Sequence, residues 1–199
     1  MDNWPMGNWK KYSLWLILAI PAAAMVIALA RADALAMDLL HPSGEMSVRL
    51  MVLAMLPGPL SEIFAGNRFI RLWLSVRRSL GVAAFSYAVL HLAFYMLDMR
   101  SVLAILDELS LPAIWTGWLA IILMLPAASI SFEAAVRRLR RNWKRIQMIV
   151  YPAFLAGIAH WLLLDWEWQP AAIHAAPLLL AWTLRFAARS RTNVGRTVP

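Results

Sequence analysis

The chain has 199 residues, 62% of them hydrophobic and only 15% charged, which excludes an ordinary soluble domain. It holds no cysteine, so disulfides, iron–sulfur clusters and thiol chemistry are out of reach, and only the four histidines, the methionines and the carboxylates remain as ligands. The formal charge of +8 would suit nucleic acid, but the basic residues punctuate apolar runs, which is how membrane proteins set their topology.

Apolar stretches near the roughly 20 residues needed to cross a bilayer recur along the chain. Residues 12–30 form the first. Their 19-residue run is long for a leader, and Arg31 follows without a clear small-residue cleavage site, so the segment reads as a retained span. Residues 50–66 form the second and weakest, because they include Pro57, Pro59 and Glu62. The third covers 79–97, the fourth 109–132, the fifth 146–164 and the sixth, which is short, 169–184. The expected fold is all-α: a polytopic membrane protein with six transmembrane helices in a bundle and both termini cytoplasmic. Residues 1–188 are expected to form the single transmembrane domain. Residues 189–199 read as a polar cytoplasmic tail without fixed structure.

The charges test that count independently. With the N-terminus inside, sixteen of the 19 basic residues fall on the inner side, leaving only Arg31, Arg49 and Arg100 outside. Eight of the 11 acidic residues fall outside: Asp33, Asp38, Glu45, Asp98, Asp107, Glu108, Asp165 and Glu167. A missed span would flip every later loop and scramble this alternation, so the positive-inside rule supports six.

Depth then singles out two histidines. His91 lies 13 residues after Arg78, and His160 lies 14 after Ile146, where the fifth span begins. At about 1.5 Å per residue each sits roughly 20 Å from the inner edge, toward the outer face. A lone intramembrane histidine is often a helix–helix hydrogen-bonding residue. Two at matched depth on different helices suit one shared ligand, since polar rings in lipid must face the bundle interior. Two imidazoles without a nearby carboxylate suit a b-type heme, whereas zinc would want further ligands. His174, about one turn into the sixth span, is a candidate substitute ligand. His41 reads as a loop or helix-start residue in reach of a heme propionate.

"RRSLGVAAFSYAVLHLAFYMLD", "HPSGEMSVRL", the "TGW" of the fourth span and "RRNWKRIQMIVYPAFLAGIAHWLL" together resemble the ferric reductase-like transmembrane family. The likeness runs from the first span to about residue 188. It is greatest to the bacterial heme-binding membrane subunits of periplasmic methionine sulfoxide reductase systems. The resemblance implies that His91 and His160 are the axial ligands of a heme iron. It also exposes a departure: the family has a histidine near the inner end of the fifth helix, and this chain has Gln147. An inner site would therefore face Arg78 and Gln147 with no imidazole, so one heme b is expected, on the outer side.

The resemblance further implies electrons arriving from a cytosolic flavin reductase and leaving to a periplasmic reductase, in a bacterial inner membrane. Without an inner heme the donor path needs an intermediate: FMN held in the bundle, a quinol, or aromatic side chains. The basic loop "RRLRRNWKR" reads either as plain topological anchoring or as a site for a flavin phosphate or an acidic partner. The expected partners are these redox proteins and membrane lipid, with no nucleic acid. The competing reading is a scaffold or transport accessory that keeps the fold without heme.

Overall fold

The computed structural model of the chain describes residues 8–164 and 168–194. Asp165, Glu167 and Arg196, and residues 195–199 of the expected tail, lie outside them. Ten helices follow in order among the described residues: α1 (Asn8–Ala30), α2 (Ala36–Met55), α3 (Pro57–Ile63), α4 (Arg68–Met99), α5 (Val102–Glu108), α6 (Pro112–Ser129), α7 (Glu133–Leu139), α8 (Arg141–Gln147), α9 (Val150–Leu164) and α10 (Trp168–Val194). Taking α2 with α3 and α8 with α9, six segments are long and apolar enough to cross a membrane. With no water at that depth, a helix is the way a single segment satisfies its own backbone.

The bundle is organised around two helix pairs. α2 packs along α4, and α6 packs along α9. Small residues make the close approach possible: Ala83 and Ala84 on α4, Ala120 and Ala127 on α6, Ala153 and Ala156 on α9, and Ala171 and Ala175 on α10 are all buried. Hydrogen bonds from side chain to main chain tie helices together. Ser47 donates to the Ala84 carbonyl at 2.9 Å, and the Trp73 indole donates to the Leu53 carbonyl at 2.8 Å. The Tyr87 hydroxyl donates to the Leu18 carbonyl and accepts from the Ala22 amide, which holds α1 against α4. Large apolar residues such as Leu16, Ile17, Ile122, Leu155, Leu163 and Leu180 point outward, where lipid replaces water.

Two segments differ from the sequence reading. The second span begins at Ala36 rather than at residue 50, because Asp38, His41, Glu45 and Arg49 recur three and four residues apart and form one polar stripe on α2. That stripe lowers the average hydropathy while leaving the other faces apolar. Pro57 and Pro59 do not end the span either. They open α3, where proline's missing N–H costs nothing. α10 runs on to Val194, past the residue at which the tail was expected to begin.

Candidate functional site

His91 sits on α4 facing α2. Its Nδ1 donates to the Leu40 carbonyl at 2.9 Å and lies 3.3 Å from the Ser43 hydroxyl. Ser43 is fully buried and donates its own proton to the carbonyls of Leu39 and Leu40. The ring lies against Gly44, where an added Cβ would come within 3.1 Å of Nδ1. A carbonyl can only accept, so Nδ1 carries the proton and Nε2 keeps its lone pair.

His160 on α9 is seated on α6 in the same way. Its Nδ1 donates to the Ala113 carbonyl at 2.5 Å. The buried Thr116 hydroxyl donates to the carbonyls of Pro112 and Ala113. The ring lies against Gly117, where a Cβ would stand only 2.7 Å from both Nδ1 and Cε1. Each seat is therefore a hydroxyl residue followed by glycine, one helical turn beyond the carbonyl that takes the imidazole proton. The hydroxyl back-bonds along its own helix, and the missing Cβ lets the ring reach the main chain.

The two seats face each other. The imidazole centroids are 6.0 Å apart with ring planes at 83°. Both rings line a cavity of about 490 Å³, together with Gly44, Gly117, Gly157, His41 and Trp161. Glu45, Asp98 and Glu108 also line it, and the Tyr95 hydroxyl donates to Glu108.

The other two histidines both lie against Trp161. His41, near the start of α2, the helical one of its two expected settings, lies 5.8 Å edge-on from the indole, and His174 lies 5.3 Å away. His174 does not line the cavity. Its Nδ1 donates to the Pro170 carbonyl, and its Nε2 accepts from Arg49 at 3.0 Å, so both nitrogens are engaged. The Trp161 N–H is buried without a hydrogen-bond partner.

Arg78 and Gln147 line a second cavity of about 280 Å³, with Arg77, Lys144, Ser131, Phe85 and Tyr151. No histidine lines it. The Gln147 amide donates to the Ala127 carbonyl at 2.9 Å and to Ser131, fastening α8 to α6. Met51 and Met124 line both cavities and form a common wall between them.

Residues 43–158 match the family described as the ferric reductase like transmembrane component. The chain belongs to this family. The matched segment starts at the Ser43–Gly44 seat and includes the second seat and His91. Curated relatives carry the name protein-methionine-sulfoxide reductase heme-binding subunit MsrQ. That of Xanthomonas axonopodis pv. citri (strain 306) is 35% identical over 167 residues, covering 80% of this chain and 75% of that one. That of Brucella anthropi is 29% identical over 201 residues, covering 96% and 89%. No solved structure matches. As a ferric reductase-like protein with six apolar spans, the chain is a multi-pass protein of the bacterial inner membrane.

The residues that the histidine pattern alone did not reveal are Ser43, Gly44, Thr116, Gly117 and Trp161. A signal was present: a hydroxyl residue followed by glycine occurs in two of the spans, Ser43–Gly44 and Thr116–Gly117.

Proposed function

We propose that this protein is a b-type cytochrome carrying electrons across the membrane, with one heme between His91 and His160. The supporting observation is the pair of seats. Each Nδ1–H is held by a main-chain carbonyl, so both Nε2 atoms are unprotonated and face a shared cavity. Two imidazoles bound to one metal at about 2 Å place their centroids roughly 6 Å apart, in keeping with the 6.0 Å separation. His41, which lines the same cavity, supplies a donor for a carboxylate of such a group. The residues present therefore fit a heme.

A heme held by His91 and His160 would supply one-electron transfer and leave no coordination position for substrate. The protein's own contribution is positional. Leu40 and Ala113 fix the tautomer and orient the rings, and their hydrogen bonds raise imidazole basicity. Ser43 and Thr116 hold those carbonyls in place. The apolar remainder of the wall excludes water.

The positive-inside pattern supports both termini in the cytoplasm and the histidine cavity toward the periplasm. The arginine-lined cavity then opens toward the cytosol, where a flavin reductase or a quinol delivers electrons. Its Arg77, Arg78 and Lys144 suit the phosphate of an FMN, and the shared Met51–Met124 wall keeps any donor there close to the heme. The acceptor is a periplasmic methionine sulfoxide reductase, in line with the name its relatives carry.

The test is a dithionite-reduced minus oxidised spectrum of the solubilised protein, with a heme-to-protein ratio. One heme per chain with a b-type α band, lost in both His91→Ala and His160→Ala, is expected. A folded chain without the band would overturn the proposal in favour of a scaffold. Comparing reduction by NADH with a flavin reductase against reduction by quinol identifies the donor.

A further inference from the structure

Beside the histidine cavity, Glu45, Arg49 and His174 form a cluster that electron carriage between two imidazoles does not require. The Arg49 Nε donates to His174 Nε2 at 3.0 Å, and its Nη2 pairs with Glu45 Oε1 at 2.6 Å. The same Glu45 oxygen stands 3.4 Å from His174 Nε2. Because Nδ1 already donates to the Pro170 carbonyl at 2.6 Å, Nε2 is the nitrogen open to a further proton. Arg49 satisfies that nitrogen only while it is unprotonated.

We propose that this triad is a redox-linked proton site, with His174 Nε2 as the atom that takes up the proton; the proposal rests on the heme reading above. Glu45 lines the histidine cavity, so the triad adjoins the place where an added electron changes the charge. One electron entering the cavity adds one negative charge, and one proton from outer water compensates it on Nε2. The protonated ring no longer accepts from Arg49. It donates instead to Glu45 Oε1, already within 3.4 Å, while Arg49 keeps its own bond to the same carboxylate. The half-exposed Arg49 side chain leaves the triad with one exposed edge.

The neighbours of His174 define its electrostatics. α10 packs on α2, α3 and α9. α2 presents Asp38, His41, Glu45 and Arg49 on its polar stripe, and α9 presents Trp161. Glu62 of α3 is tied to Arg185 and Arg189 farther along α10. Asp165 and Glu167, between α9 and α10, lie outside the described residues.

The experiment is an equilibrium redox titration of the α band in the solubilised full chain between pH 5.5 and 8.5. In the wild-type protein the reduction equilibrium is expected to fall with rising pH over part of that range. The limit is tenfold per pH unit, which is 59 mV for a one-electron couple. His174→Gln flattens the dependence while keeping the α band. Glu45→Gln, which removes the negative charge beside the ring, moves the sloping region to lower pH, and Arg49→Gln moves it to higher pH. A flat wild-type profile would overturn the proposal. So would a slope that survives in heme-loaded His174→Gln, or one that His41→Gln alone removes. Absence of the band in the wild-type protein would instead overturn the heme reading, and this inference with it.

Discussion

Gly117→Ala is the sharpest test of how the second histidine is seated. Within a helix the change from glycine to alanine alone stabilises by about 1 kcal/mol. Here the new Cβ would stand 2.7 Å from His160 Nδ1 and Cε1, where ordinary contact begins at 3.4 Å. The ring must retreat by about 0.7 Å, which stretches its 2.5 Å bond to Ala113 to the edge of hydrogen-bonding range. Overpacking costs about 1–3 kcal/mol and a weakened buried hydrogen bond adds about 1 kcal/mol or more, so the net effect is destabilising by about 1–3 kcal/mol. Gly44→Ala is milder, since its closest approach is 3.1 Å, and Gly81→Ala, with only Ala54 at 3.9 Å, is neutral or stabilising. Thermal unfolding in detergent and the heme-to-protein ratio should rank the three variants in that order. If Gly117→Ala melts no lower than wild type and retains full heme, the seat does not work as described.

Three further outcomes follow from the same geometry. Gly157→Ala, whose Cβ meets nothing within 4 Å but enters the histidine cavity, should raise the melting temperature of the cofactor-free chain while lowering heme occupancy; unchanged occupancy would place the group elsewhere. Tyr87→Phe removes the hydroxyl that bridges Leu18 and Ala22, at a cost of about 1 kcal/mol; protease susceptibility of α1 should rise with the α band unaltered. Gln147→His places one imidazole in the arginine-lined cavity opposite Arg78, and the ratio should stay at one heme per chain. Two hemes in that single variant would show that one imidazole suffices to fill the second site.

Span number, span order and the matched depth of His91 and His160 were all legible in the chain. They depend on hydropathy and charge accumulated over some twenty residues, and such sums tolerate local exceptions. The beginning of α2 was not legible, because one polar stripe lowered the average of a helix whose other faces are apolar. His174 looked like a spare ligand on depth alone. Its direction is set by Arg49 and the Pro170 carbonyl, one on another helix and one a turn away, and depth carries no azimuth.

Composition and periodicity thus settled that this chain crosses the membrane six times and carries two histidines at one level, because both properties are one-dimensional. Whether those rings meet, and in which tautomer, depended on the pairing of α2 with α4 and of α6 with α9. Helix packing brings the carbonyls of Leu40 and Ala113 to within hydrogen-bonding distance of residues 51 and 47 positions away. The glycines that admit the rings acquire that role only when a second helix lies against them.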